Sequence, residues 1–293
     1  MGAEGDGATR RLVGAHRSLL LGDRTRVMGV VNVTPDSFSD GGQYLEPKEA
    51  VARVEALVAE GADLIDVGGE STRPGATPVS PEEEWRRVEP VLRGLAGRIS
   101  VPVSIDTRHP EVAARAVDAG ADIVNDVEGL RSEEMRRVVA RTGAAVVIMH
   151  MRGTPATMQD DLEYADLQGE VSRWLAEHAA AALSDGIGSD RIVLDPGLGF
   201  GKSVTQSLEL LTRAGELRHL GYPVLVGPSR KSFLGWATGV QDPTARLEAG
   251  LAAAVIAGRQ GVEIVRTHDV GPTVRALAVV AAAERIRRAT PWT

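Results

Sequence analysis

Acids, amides and cations recur in this chain just after short apolar runs. They are Asn32, Asp66 with Glu70, Asp106, Asn125 with Asp126, His150, Asp195, Ser229 to Lys231, and Arg266 with His268. Arg266 and His268 stand two apart, so in a strand both side chains leave on the same side. Two such groups suit a phosphate or diphosphate, and the Gly227 to Phe233 stretch adds positive charge. Singly, each residue would read as a helix cap or a loop hydrogen bond, and Arg266 as an ion pair. Their recurrence after nearly every apolar run favours a converging site.

Glycines support a ligand at the same places. Gly41-Gly42, Gly68-Gly69 and the Gly197, Gly199, Gly201 series follow the runs. Glycine permits close backbone approach to a ligand, although tight turns would use it too. Some chemistries are excluded. The Gly201-Lys202-Ser203 stretch hints at a phosphate-cradling loop, but Pro196 occupies the position of its first glycine. The dinucleotide fingerprint fails as well, because Lys202 stands at its third glycine. His150 and His268 have no partner at metal-ligand spacing, which argues against a tightly held zinc. With no cysteine there are no disulfides, thiolate sites or cysteine nucleophiles.

The elements that carry these residues alternate. Strands are expected at Arg26–Asn32, Asp63–Val67, Val101–Ile105, Asp122–Asn125, Ala145–Met149, Ile192–Asp195, Val224–Gly227 and Glu263–Arg266. Helices are expected between and after them: Pro47–Glu60, Ser80–Leu95, Pro110–Ala119, Ser132–Arg141, Leu167–Asp185, Ser203–Leu217, Thr244–Gly258 and Gly271–Arg287. Ser80, Pro81, Glu82 and Glu83 give the second helix its cap, first-turn proline and acidic start. Eight βα units are the number at which a parallel sheet closes, so the fold class is a (β/α)8 TIM barrel. An open doubly wound sheet would alternate in the same way, but it has no preference for eight. Barrel enzymes place chemistry at the C-terminal strand ends, where these polar residues fall.

The chain has 293 residues, near the ~250 typical of one such barrel. Apolar residues make up 43% and aromatics only 3%, so the core must be aliphatic. The net charge of −7 and the lack of a basic stripe argue against a nucleic-acid partner. No run nears the ~20 apolar residues of a membrane span. Residues 1–20 read as a flexible leader without a signal-peptide pattern, and 21–293 as the barrel domain. A cytoplasmic location is the expectation.

Beyond this reading, the chain resembles the dihydropteroate synthase family from about Val27 to Val280. The stretches that carry the likeness are Asn32 to Gly42, Asp66 to Gly75, Ser104 to Thr107, Asn125-Asp126, His150 to Gln159, Asp195 to Phe200, Ser229 to Lys231 and Arg266 to Val270. The resemblance implies condensation of a dihydropterin diphosphate with para-aminobenzoate, releasing diphosphate. It implies a pterin pocket of Asp106, Asn125, Met149, Asp195, Lys231 and Arg266. Asn32, Arg266 and His268 would hold diphosphate, with Mg²⁺ bridged by Asn32. Phe38, Thr72, Arg73, Phe200 and Ser229, with Asp36, would form the para-aminobenzoate pocket. Arg266, His268, Lys231 and Asp106 would carry the catalysis. A homodimer is the family expectation, and sulfonamide sensitivity is not readable from these residues. A corrinoid methyltransferase would share the pterin-side acid and amide. A catalytically dead paralogue and a sugar-phosphate barrel are the other readings.

Overall fold

The computed structural model describes residues 9–34, 46–71 and 77–289. Within them the chain alternates as its apolar spacing demands. After β1 (Arg10–Val13) and β2 (Ser18–Leu21), the barrel runs from β3 (Arg26–Asn32) through α1 (Pro47–Ala59), β4 (Leu64–Gly68), α2 (Pro81–Leu95), β5 (Val103–Asp106) and α3 (Pro110–Asp118). It continues with β6 (Ile123–Asp126), α4 (Glu133–Thr142), β7 (Ala145–Met149), α5 (Leu167–Ser184), β8 (Ile192–Asp195) and α6 (Val204–Arg213). It ends with β9 (Leu225–Val226), α7 (Ser232–Thr238), α8 (Leu247–Arg259), β10 (Ile264–Thr267) and α9 (Val270–Ala289).

All pairings from β3 to β10 are parallel, in the order β8-β7-β6-β5-β4-β3-β10-β9. A parallel bridge from Leu194 to Val224 joins the last two edges and closes the ring. The strands obey a period of two. Val31, Ile65, Ile105, Val124, Ile148 and Val265 point outward into the main core against the helices. Leu64, Ile123, Val147, Val193, Leu225 and Ile264 point inward and fill the barrel's lower interior. Two residues further along the same strands stand Asp66, Asn125, Met149, Asp195, Gly227 and Arg266. The alternation that packs the interior therefore also aims the polar set up the same axis.

The N-terminal leader is a point of correction. β1 and β2 pair antiparallel, from Arg10 opposite Leu21 to Val13 opposite Ser18. Leu12 and Leu21 are buried in the inner cluster, so the hairpin plugs the lower end. Asp122 pins it there. One oxygen of its carboxylate accepts the amides of His16 and Arg17, and the other accepts the Arg17 guanidinium at 2.7 Å and the Val103 amide at 2.8 Å. Four-residue strands with two inward leucines give little periodicity, which is why sequence spacing missed them.

Other departures are local. β5 starts at Val103 instead of Val101, because Pro102 has no amide for the ladder. The helix expected over Ser203–Leu217 is α6 to Arg213, then a 3₁₀ run over Ala214–Leu220. At Gly215 a Cβ would lie 2.0 Å from the Gln260 carbonyl, so this bend needs glycine. After β9 there are two helices where one was expected. Gly239 ends α7 at φ 75°, and α8 follows a 3₁₀ turn at Pro243–Ala245.

Candidate active site

A cleft opens at the C-terminal end of the strands. Asp106, Asn125, Met149, Asp195, Gly227, Lys231 and Arg266 line it, with Val127, Gly197, Leu198 and Phe200. All six residues expected at the pterin therefore meet at one mouth. A larger void of about 180 Å³ lies at the opposite end of the barrel, around Arg24, Arg218, Glu263 and Glu284. There Arg24 pairs with Asp63, Arg218 with Glu263 and Arg287 with Glu284.

Arg266 organises the floor. Its Nε donates to Asp66 Oδ2 at 2.6 Å and its Nη2 to Asp106 Oδ2 at 2.8 Å. Asn125 Nδ2 donates to the same Asp66 oxygen at 3.1 Å. The Arg266 side chain is 23% exposed, whereas Asp66 is fully buried. Burial works against the guanidinium charge, but Asp66 and Asp106 outweigh it and raise its pKa. Burial, with the charge of Asp66, pushes the Asp106 carboxyl up to about 7. Burial also raises Asp195, although its carboxylate accepts the Gly197 amide at 2.7 Å. Gly68 lies against this floor. A Cβ there would lie 3.4 Å from Asp106 Cβ and 3.5 Å from Asn32 Oδ1.

Lys231 forms the facing wall. Its Nζ donates to the Leu198 carbonyl at 2.6 Å and sits 3.9 Å above the Phe200 ring. Burial lowers the ammonium to about 7, against the pull of Asp195. Met149, Val127, Met151 and Met158 pack with Phe200 into an apolar patch beside it. The result is a slot with Asp106 and the Arg266 guanidinium on its floor and the Lys231 ammonium beside an apolar patch. It can take a flat, polar, nitrogen-rich ring.

The loop after β9 is strained and braced. Arg230 has φ 62°, a left-handed conformation that costs about 1 kcal/mol or more for such a residue. Buried Arg246 offsets this by donating to the carbonyls of Arg230, Lys231, Val240 and Gln241. Ser229 Oγ meets His268 Nδ1 at 3.0 Å and accepts the His268 amide at 3.3 Å. Ser229, placed in the para-aminobenzoate pocket by resemblance, thus stands against the residue expected at diphosphate. Asn32 and His268 lie at strand ends β3 and β10 of the same mouth, beyond the slot itself. Phe38, Thr72, Arg73 and Asp36 lie outside the described residues.

Two supporting groups escaped the sequence reading. Arg246 falls at a helix start with no pattern to mark it. Lys202 appeared only in the failed phosphate-loop match. Its buried Nζ reaches His150 Nδ1 at 2.8 Å and the Phe200 carbonyl at 2.8 Å, holding the Gly197 to Gly201 turn in place. Burial and the Lys202 charge drive His150 down to about 2, so it is a neutral acceptor.

Arg108 and His109 belong to a separate, partly buried group. Arg108 forks onto both oxygens of Glu70 at 2.9 and 3.0 Å. His109 turns Nε2 to Glu70 and Nδ1 to Glu84, each at 3.9 Å. Burial raises Glu84 to about 8. Glu70, Glu84 and His109 are the one set of potential metal ligands among the described residues. One possible ligand atom from each lies within 4.8 Å of the others, while Arg108 already holds both Glu70 oxygens. The cluster reads as structural.

Parallel strands, a closed ring and a polar mouth define a (β/α)8 barrel with its candidate site at the C-terminal ends of the strands. The profile of the family described as "Pterin binding enzyme" matches residues 28–268. The chain is 47% identical over 256 residues to the dihydropteroate synthase of Escherichia coli, covering 87% of this chain and 90% of that one. It is 48% identical over 259 residues to that of Neisseria meningitidis serogroup C, covering 87% and 91%. The Xanthomonas albilineans dihydropteroate synthase structure with 4-aminobenzoic acid superposes with a TM-score of 0.88 at 47% identity, covering 94% and 99%. The same enzyme in complex with 7,8-dihydropteroate gives 0.85 at 44%, covering 94% and 98%. The chain belongs to the dihydropteroate synthases of the pterin-binding enzyme family.

Proposed function

We propose that this mouth joins a 6-hydroxymethyl-7,8-dihydropterin diphosphate to para-aminobenzoate. The bond from the methylene carbon to the diphosphate oxygen breaks, a carbon–nitrogen bond to the aryl amine forms, and the amine nitrogen loses a proton. The observation that carries this is the slot itself, in which Asp106, Asn125, Asp195, Lys231 and Arg266 face one volume. Asp195 would accept from the exocyclic amine and adjacent ring N–H, an acceptor pair that suits a carboxylate. Asn125 and Asp106 would take the remaining ring nitrogens, and Lys231 the carbonyl side. Arg266 would stack on the ring face and, with His268 and Asn32, draw off diphosphate charge. Para-aminobenzoate would lie toward Phe200, Ser229 and the segments carrying Phe38, Thr72 and Arg73.

A neutral aromatic amine is already nucleophilic, so the barrel need not supply a strong base. Alignment and leaving-group stabilisation dominate. The substitution is dissociative, since the pterin ring spreads positive charge as diphosphate departs. Mg²⁺ fits as a partner of the diphosphate. The Asn32 amide oxygen lies over Gly68 beside Asp106, and one neutral oxygen with water and phosphate oxygens suits that ion. When bound, it would neutralise diphosphate charge. The protein works in the cytoplasm as a homodimer in this reading. Among the described residues no helix is long and apolar enough to cross a membrane.

The test is diphosphate release that requires both substrates and Mg²⁺. Dihydropteroate formation also separates this enzyme from a dead paralogue or a corrinoid methyltransferase. In single turnover Arg266→Ala should slow the chemical step at least a hundredfold. An unchanged rate would remove Arg266 from the mechanism.

A further inference from the structure

Asp66 is fully buried below the slot and is not among the residues that line it. It nonetheless touches two residues that do. Its Oδ2 accepts from Arg266 Nε at 2.6 Å and from Asn125 Nδ2 at 3.1 Å. The same oxygen that takes the Arg266 N–H acts as an acceptor, so the Asn125 amide turns its nitrogen toward Asp66. That fixes which end of the amide is left for a ligand. The flipped amide would set oxygen against oxygen. The same contact, with the Arg266 bond to Asp106, fixes the guanidinium plane from two sides.

We propose that Asp66 is a positioning residue: by gripping Asn125 and Arg266 through one oxygen, it sets the donor and acceptor pattern that the slot presents to a dihydropterin. This deepens the functional reading above and rests on it. Asp66 Oδ1 and the Oγ of Ser104, its neighbour on β5, have no hydrogen-bond partner. All the hydrogen bonding of this carboxylate therefore runs through Oδ2. Asp66 also faces Asp106 across the guanidinium, and the charges of Asp66, Asp126 and Glu70 all act to raise Asp106.

The test uses the full chain with Asp66→Asn and Asp66→Glu. Asn keeps the shape but can also donate, so both amide orientations of Asn125 become possible. Glu keeps the charge on a longer stem. Affinity is read by calorimetry with 6-hydroxymethyl-7,8-dihydropterin, which needs no turnover. Loss of one charge-assisted bond should weaken D66N at least tenfold. The KM for para-aminobenzoate should stay within twofold. The low-pH limb of pterin binding should move to more acid pH in D66N, because a negative neighbour of Asp106 is gone, and should stay in place in D66E. Unchanged pterin affinity in either folded variant overturns the proposal. So does parallel weakening of both substrates with no shift of the limb, the mark of a merely structural acid. Wild-type enzyme that binds the pterin but makes no dihydropteroate would overturn the functional reading and leave the binding test of Asp66 intact.

Discussion

At the scale of single residues, the slot sets two opposite titrations close together. Asp106 is raised to about 7 by burial and Asp66, and Lys231 is lowered to about 7 by burial. As an acceptor Asp106 must lose its proton, so pterin affinity rises as pH climbs through its pKa. As a donor Lys231 must keep its proton, so affinity falls as pH climbs through its own. The pH profile of kcat/KM should be a narrow bell near neutrality whose limbs belong to the cluster as a whole. Lys231→Arg replaces an ammonium that titrates with a guanidinium that stays charged. The alkaline limb should then move up by at least one pH unit, even if the maximum falls. A limb that stays put would mean that another group sets it.

At the scale of elements, the loop from Ser229 to Lys231 shows what holds a strained segment. Arg246 is buried and spreads its charge over four carbonyls, two of them in that loop. Arg246→Met leaves those acceptors unsatisfied, at a cost of about 2–4 kcal/mol in urea unfolding. Because the freed Arg230 can leave its left-handed φ, Lys231 should lose register and pterin affinity should fall as well. Wild-type affinity in a destabilised protein would show that the brace serves stability alone. The brace was invisible in the sequence because it joins a helix start to a loop through space. The strands were visible because each is a short apolar run, and nearly every run ends in or just before a polar residue. The six slot residues were assigned through the family resemblance, and four of them, Asn125, Met149, Asp195 and Arg266, also stand two residues beyond a buried inward aliphatic. The split of one helix into α7 and α8 was not visible, since Gly239 in an otherwise helical stretch is ambiguous. The grip of Asp66 was also hidden, because nothing in spacing separates a ring-forming acid from one that orients its neighbours.

At the scale of the whole molecule, the barrel has a wet end and a sealed end. The β1–β2 hairpin closes the lower end with Leu12 and Leu21, and Asp122 fastens it. Leu21→Ala opens a cavity among inner-cluster side chains and should cost about 2–5 kcal/mol. Because that layer lies beneath the polar tier, the KM for both substrates should not change. Chemical denaturation alongside steady-state kinetics checks both halves, and a raised KM would show that the plug reaches the mouth.

The bond from Arg266 to Asp66 joins residues 200 positions apart, between a strand near the start of the barrel and its last one. No partial chain that stops short of β10 can contain it, however well its earlier units have folded. Loop closure over such a distance comes late, after local helices and neighbouring strands have formed. Ligand binding therefore reports completion of the circle, and a chain emerging from the ribosome remains inert until its final strand docks beside β3.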